Sequence, residues 1–358
     1  MVQGQGLRLL MSSIFSSLAV RTALLLAACL AGGVAFAALH VPLPYLLGAL
    51  FVSAAFGLSG FAVKLHDAFR QGGQIAAGFS VGLFFTPPVA LRLLELGWLM
   101  AATGFASIIV SLFLARALAL FGRCDRRTAF FAAMPGGLAE MAVLAHTFGA
   151  STTLVSLAQS LRVVLIVLII PPAMAVFMGG ERHHVAEVQQ LEPHLLVLGL
   201  ALCVPVALVL QRAKIFNPFL LAGLALGMGT ALVIARATHA PPLVTAAAQL
   251  AIGAALGCRF QREQIRHVIS TPFLPAAAAT TLLLIAANVA FAALAIHFVP
   301  LPTGVLAMAP GGIAEMSLTA EALGLAPPLV AAWQLVRILS VVLLTGPLYR
   351  LYEKISAR

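Results

Sequence analysis

The sequence predicts an all-α polytopic membrane protein with a duplicated half-domain, arranged as a 5+5 inverted-topology repeat with two broken, re-entrant hairpins. The 358 residues are 62% hydrophobic and only 9% charged. A soluble protein of this length could not cover its surface with so few charges. Apolar stretches long enough to cross a bilayer core of about 30 Å recur along the chain. One segment of the first half is also repeated in the second.

The repeated segment reads TAFFAAMPGGLAEM at 128–141 and TGVLAMAPGGIAEM at 303–316, an offset of 175 residues. The same offset relates further polar and small residues, namely Gln74 and Gln249, Gly78 and Gly253, Gly82 and Gly257, Gln159 and Gln334, Arg162 and Arg337. We infer that one unit was duplicated, and we expect the function to lie at the doubled polar positions.

Each half contains five apolar segments and one element interrupted by Pro-Gly-Gly. The segments are 20–39, 44–61, 71–86, 98–121 and 152–177, then 195–211, 218–236, 241–257, 272–298 and 327–349. We name 128–149 and 303–324 the PGG elements. The predicted organisation is an N-terminus at 1–19, a first membrane repeat at 20–180, an acidic external linker at 181–194, a second repeat at 195–350 and a tail at 351–358.

Loop charges predict that the PGG elements return to the side from which they enter. Cytoplasmic loops carry an excess of Lys and Arg. If both elements are re-entrant, every basic cluster lies inside, including Arg212 and Lys214, and the acidic linker lies outside. Five spans per half then invert the second half. A 6+6 parallel duplication is the alternative, and it fails by only a few charges. We expect a bacterial cytoplasmic (inner) membrane protein with both termini in the cytoplasm.

The two Pro-Gly-Gly tripeptides predict breaks in their helices. They are Pro135, Gly136 and Gly137, then Pro310, Gly311 and Gly312. Proline lacks an amide donor and glycine permits left-handed or extended backbone. Irregular backbone at membrane depth requires protein or a water-filled cavity around it. The breaks predict either a ligand site at the free amides of two half-helices or two tight packing turns.

Glu140 and Glu315 are the acidic residues of the doubled segment. A carboxylate within a membrane is costly and suggests a site for Na⁺ or a proton. It equally suits the first turn of a half-helix, where it neutralises the helix dipole.

Gln159 with Arg162, and Gln334 with Arg337, each share one helix face because they are three residues apart. Apolar residues follow both arginines, so neither guanidinium reaches the membrane surface easily. Each either pairs with a glutamate of its PGG element or seats an anionic substrate.

Other function classes receive no support from the sequence. The net charge of +10 is dispersed among loops, which argues against nucleic-acid binding. No P-loop, GxSxG or HExxH motif is present, so we predict no enzyme activity and no cofactor or metal. The expected partners are the lipid bilayer and a small-molecule or ion substrate. A homodimer stays open.

At PGGLAEM, PGGIAEM and the downstream Gln-x-x-Arg pairs, the chain resembles the AbrB-type bacterial membrane protein family over about 20–350. That resemblance implies a tandem duplication of one membrane domain. Members are often labelled regulators of gene expression or ammonia monooxygenases, and the residues support neither label directly.

From the residues we predict a secondary transporter of a small anionic organic solute, coupled to H⁺ or Na⁺ by alternating access. The first alternative is a membrane-embedded sensor or regulator that influences gene expression indirectly. The second, a membrane monooxygenase, is disfavoured because the segments offer too few metal ligands.

Overall fold

The structure is a computed structural model that describes residues 18–61, 63–179 and 189–356. The first part of the predicted N-terminus, most of the acidic linker and the end of the tail lie outside the described residues. In the described part the chain is nearly all helical, with one pair of two-residue strands.

The helices of the first half are α1 (Leu18–Ala38), α2 (Pro44–Leu58), α3 (Asp67–Gly82), α4 (Pro87–Phe121), α5 (Arg126–Ala133), α6 (Leu138–Thr147) and α7 (Thr152–Phe177). Those of the second half are α8 (Pro193–Arg212), α9 (Pro218–Ile234), α10 (Pro242–Gly257), α11 (Arg262–Val268), α12 (Phe273–Leu294), α13 (Leu301–Met308), α14 (Ile313–Ala322) and α15 (Pro327–Ser356). Strands β1 (Gln189–Gln190) and β2 (Thr238–His239) pair in parallel. Each predicted apolar segment overlaps one of these helices, and several helix starts differ by the same 175 residues.

Six described helices are long and apolar enough to cross a membrane. They are α1, α4, α7, α8, α12 and α15. Helices α2, α9 and α10 are apolar but shorter. The prediction of an all-α polytopic membrane protein is confirmed at this level.

Helix α4 begins eleven residues before the predicted segment, at Pro87. Arg92 and Glu95 interrupt the apolar pattern there, but they pair at 2.8 Å one turn apart on the helix. In the second half the equivalent stretch is split into the charged helix α11, which hydropathy does not predict, and α12. Pro272 lies at this break, where its counterpart in the continuous helix α4 is Gly97.

The two halves pack against each other at glycines. A Cβ atom at Gly78 of α3 would overlap the carbonyl of Leu220 in α9. At the equivalent place a Cβ at Gly253 of α10 would overlap the carbonyl of Leu46 in α2. Helices α1–α3 and α8–α10 therefore form one tightly packed group, in which each half packs against the other.

Helices α4–α7 and α12–α15 form the second group. Polar side chains tie its helices together: Trp333 Nε1 donates to Thr103 Oγ1 at 2.8 Å, and Asn288 Nδ2 donates to Ser107 Oγ at 3.3 Å. Helix α3 contacts α14 and α15, which brings the first group against the broken elements.

Candidate functional site

Both PGG elements are broken at the predicted place. Helix α5 ends at Ala133 and α6 begins at Leu138, while α13 ends at Met308 and α14 begins at Ile313. Gly137 and Gly312 are the N-caps of α6 and α14, and both have extended backbone. Left-handed backbone, one of the two conformations we expected, is therefore absent at these two caps.

Space rather than backbone angle explains the glycine at each N-cap. A Cβ on Gly137 would lie 2.8 Å from Cδ of Glu140, and one on Gly312 would lie 2.7 Å from Cδ of Glu315. Each glutamate is the third residue of its half-helix and folds back over the cap, where a carboxylate meets free N–H groups. This geometry favours the dipole-neutralising role. The cation-coupling role stays a prediction.

Arg162 and Gln159 bind the end of the preceding half-helix. Arg162 Nη2 donates to the carbonyls of Ala132 and Ala133 at 2.7 and 2.9 Å, and Nη1 donates to that of Met134 at 2.6 Å. Gln159 Nε2 donates to Met134 O at 3.0 Å, and its Oε1 accepts from Arg162 at 3.0 Å. The pair satisfies carbonyls that the break leaves without helical partners.

Arg337 and Gln334 do the same in the second half. Arg337 donates to the carbonyls of Ala309 and Gly311, the latter at 2.7 Å. Gln334 Nε2 donates to Ala309 O at 2.9 Å and also reaches two carbonyls of α13. A cation at the negative end of a helix dipole is favourable, and charge-assisted hydrogen bonds are strong. The observed partners are therefore backbone carbonyls rather than the glutamates, which were one of the two alternatives we considered. The role of the arginines as a substrate seat stays a prediction.

One cavity, which we name the central cavity, brings the two breaks together. Its volume is about 420 Å³, and nine of the twelve predicted site residues line it. These are Gly136, Gly137, Glu140, Gln159, Arg162, Pro310, Gly311, Gly312 and Glu315. Pro135, Gln334 and Arg337 are buried but do not line it. The doubled positions therefore converge, although 175 residues separate the two copies.

Three cations in the lining were not among the predicted site residues. They are Arg70 of α3, and Lys214 and Arg259 in the loops after α8 and α10. Burial lowers the pKa of Arg259 below its ordinary value, and the nearby charge of Arg70 lowers that pKa further. Glu315 opposes this shift. The sequence contained one indication that Arg70 lines this cavity. Arg70 lies one helical turn before Gln74, a repeated polar residue that also lines the cavity.

A second cavity of about 460 Å³ adjoins the first, and we name it the vestibule. Arg70, Leu138 and Arg259 line both cavities. The remaining vestibule lining is rich in polar side chains, and includes Lys64, His66, Asp67, Thr152, Thr153, Ser156 and Ser160. The two arginines therefore lie at the junction of two polar spaces.

The two ends of the first PGG element are in contact. Ser151 N, which follows α6, donates to Thr128 Oγ1 in the first turn of α5 at 2.9 Å. The rings of Phe131 and Phe148 stack with centroids 5.6 Å apart. Among the described residues, no group of three or more His, Cys, Asp or Glu is arranged to hold a metal ion.

Comparison with known proteins gives one family and two relatives. The family model described as "Transition state regulatory protein AbrB" matches residues 58–353. The "Uncharacterized protein YhjN" of Bacillus subtilis (strain 168) is 25% identical over 346 residues, covering 90% of each chain. The "Putative regulator AbrB" of Escherichia coli (strain K12) is 28% identical over 138 residues, covering 37% of this chain and 38% of the relative.

Proposed function

The chain belongs to the AbrB family, as its PGG motifs predict, and from this premise we propose that it is a secondary transporter of a small anionic organic solute. The solute binds in the central cavity, and its movement is coupled to H⁺ or Na⁺ by alternating access. The observation that carries the proposal is that two half-helix N-termini and four cations, Arg162 and the three of the preceding section, line one cavity.

Contacts between segments near the predicted membrane surfaces support the inverted topology on which this proposal depends. Arg127 forms an ion pair with Glu353 at 3.2 Å, and the excess of Lys and Arg in cytoplasmic loops places both segments on the cytoplasmic side. Arg92 donates to the carbonyl of Phe298 at 3.1 Å, and both belong to segments placed outside. Strand β1, at the end of the acidic linker, pairs with β2, which the same topology also places outside.

The lengths of the half-helices support re-entrance. At 1.5 Å per residue, α5 and α6 extend roughly 12 and 15 Å, about half of a 30 Å bilayer core each. The contact between Ser151 and Thr128 returns the chain to its starting point. A hairpin that reaches the middle of the bilayer and turns back fits both facts.

Charge and size support an anionic solute. Arg70, Lys214 and Arg259 outnumber Glu140 and Glu315 in the lining. The free N–H groups of α6 and α14 add two partial positive charges at the breaks. A volume of about 420 Å³ suits a small organic molecule. Like-charge repulsion between Arg70 and Arg259 is relieved when an anion binds between them.

Coupling is assigned to Glu140 and Glu315, whose carboxylates lie at the caps beside the proposed substrate. When a proton or Na⁺ neutralises them, the local field becomes more positive and the anion binds more tightly. The cation and the anion therefore favour each other in one cavity, which is the linkage that co-transport requires.

A two-stage experiment tests the proposal. A thermal-shift screen of the purified protein against small mono- and dicarboxylates, with and without Na⁺ and at two pH values, identifies a ligand. Uptake of that ligand into reconstituted vesicles is then measured with and without an ion gradient. We expect Glu140→Gln and Glu315→Gln to abolish gradient-driven uptake without unfolding the protein, and Glu95→Gln, on an exposed position of α4, to leave it unchanged. Unchanged coupling in both single variants and in the double variant would remove the glutamates from the mechanism.

The second candidate is a membrane-embedded regulator that influences gene expression through a partner. Its support is the description of the family and the name of the Escherichia coli relative, both of which refer to regulation. Effects on expression that persist in a transport-inactive Glu140→Gln variant would favour this candidate over transport.

A further inference from the structure

A third cavity, of about 450 Å³, lies in the second half and shares no lining residue with the other two. We name it the distal cavity. Its lining residues His239, Pro242, Thr245 and Pro327 follow the vestibule residues Lys64, Asp67, Arg70 and Thr152 by 175 positions. The distal cavity is therefore the counterpart of the vestibule in the other half. It lies beside β2, which the proposed topology places outside.

The two counterparts differ in charge. The charged residues of the vestibule lining are Lys64, Arg70, Arg259 and Asp67, so positive charge is in excess there. The equivalent places in the distal cavity are held by His239, Thr245, Phe84 and Pro242. The distal lining contains a glutamate, Glu321, and neither Lys nor Arg among the described residues. An anion is therefore attracted to the vestibule and repelled from the distal cavity, which instead attracts positive charge.

Two oxygen atoms of the distal lining lack hydrogen-bond partners. Both Oε2 of Glu321 and Oε1 of Gln249 are buried without one. Gln249 is 8% exposed, so water reaches little of its side chain. An unpaired buried acceptor costs about 1–3 kcal/mol, and more when it carries charge. Two such acceptors in one cavity indicate a missing donor.

A proton fits this site better than a metal ion. The side-chain oxygens of the described lining are those of Glu321, Gln249 and Thr245, and the Thr245 hydroxyl already donates to the carbonyl of Pro242 at 3.0 Å. A hard cation takes six or more oxygen ligands, as a rule. A single proton on Glu321 removes the charge and converts an unpaired acceptor into a donor.

We propose that Glu321 binds a proton from the external side, in a cavity that it shares with Gln249, and is the entry point of the coupling ion. The proton site stands on the structure alone, while its role as an entry point rests on the proposed transport function. Helices α10 and α15 contribute Gln249, Thr245 and Pro327 to the surroundings, none of which titrates. The other titratable side chain in the described lining is His239 of β2, whose Nδ1 lies 3.0 Å from the carbonyl of Ala240.

The site is tested first without transport. Purified wild-type protein is treated over a series of pH values with a hydrophobic carbodiimide. This reagent modifies protonated carboxyl groups in apolar surroundings, and the labelled peptides are located by mass spectrometry. We expect labelling of Glu321 that declines as pH rises, and none at Glu192, which is exposed. Absence of label at Glu321 at every pH would overturn the proton site. Loss of label on adding Na⁺ at constant pH would replace the proton by a metal cation. This measurement needs no variant, so a folding defect cannot obscure it.

The coupling role is tested in vesicles. We expect external acidification to accelerate uptake by the wild type, and Glu321→Gln to lose that acceleration while it retains substrate exchange at equal pH. Glu192→Gln should behave as the wild type. Acceleration that persists in Glu321→Gln would overturn the entry role. A labelled Glu321 in a protein that transports nothing would instead retain the proton site and refute the proposed function.

Discussion

Replacing Arg162 with methionine should destabilise the first broken element, because the guanidinium is the donor to the carbonyls that end α5. The carbonyl of Met134 retains Gln159 as a donor at 3.0 Å, but those of Ala132 and Ala133 lose the guanidinium. Two buried acceptors at about 1–3 kcal/mol each give about 2–6 kcal/mol. The variant also removes a buried cation that is costly to desolvate, which offsets part of this loss. We expect a net loss of about 2–4 kcal/mol.

The assay is the apparent Tm of the purified protein in detergent, followed by intrinsic fluorescence. At roughly 2 °C per kcal/mol for a large domain, Arg162→Met should lower Tm by about 4–8 °C. Arg162→Lys should fall between the wild type and Arg162→Met, because an ammonium keeps the charge but cannot reach all three carbonyls from one planar fork. Arg116→Met, on an exposed position of α4, is the matched control and should leave Tm unchanged.

A wild-type Tm in Arg162→Met, together with lost uptake, would refute this reasoning. The guanidinium would then act on the substrate and contribute nothing to the break. A Tm above that of the wild type would show that the cost of burying the cation exceeds the value of its hydrogen bonds.

Three further substitutions test other parts of the structure. Gly137→Ala should displace the carboxylate at the cap, lowering gradient-driven uptake and costing about 1 kcal/mol of stability, because alanine is a poorer N-cap than glycine. Gly97→Ala, whose Cβ would meet no atom within 4 Å, should leave uptake unchanged and should not lower Tm, because alanine is the better residue inside a helix. Gly253→Ala should reduce the yield of monodisperse protein, since its Cβ would overlap a backbone carbonyl that cannot rotate away, and a normal yield would show that α2 and α10 separate easily. Arg259→Gln should weaken binding of the ligand found in the thermal-shift screen by at least tenfold, because it loses one charge-assisted contact worth about 1.5–3 kcal/mol. The control is Arg262→Gln, at an exposed position, which should bind that ligand as the wild type does in the same titration.

The helices were predictable because hydropathy and the duplication give independent information on the same boundaries. Helices α3 and α10 have bounds that differ by 175 residues at both ends, so each supports the other. The start of α4 was missed because Arg92 and Glu95 break the apolar pattern, and hydropathy cannot detect a charged turn that extends a span. Helix α11 was missed for the same reason, since four of its seven residues are Arg, Glu or His.

The location of the site was predictable, but the partners of its arginines were not. A doubled Pro-Gly-Gly and a doubled buried arginine both indicate a break with polar surroundings. Opposite charge suggested Glu140 as the partner of Arg162, whereas the structure gives it backbone carbonyls. Every residue has a backbone carbonyl, so the sequence does not show which carbonyls lack a helical partner. The one sequence feature that matches these contacts is an interval of 28 residues, which separates Met134 from Arg162 and Ala309 from Arg337.

The other cations of the central cavity were missed because they come from one helix and two loops that are far apart in the sequence. Arg70, Lys214 and Arg259 were interpreted only as markers of the cytoplasmic side, which a charge count treats as interchangeable. Their convergence depends on the packing of α3, α8 and α10, and a single sequence does not encode that packing in any local pattern.

The capped breaks constrain how alternating access can occur in the proposed transporter. Arg162 and Arg337 satisfy carbonyls at both breaks with donors from the protein itself. Unwinding the half-helices in each cycle would expose buried acceptors, at about 1–3 kcal/mol for each carbonyl. Movement between the two helix groups would leave these bonds intact. Helix α3 lies at the junction of the groups, contacting α14 and α15 and carrying Arg70 at the boundary between the vestibule and the central cavity. The physical expectation is therefore that the group α4–α7 with α12–α15 moves as a unit against α1–α3 with α8–α10.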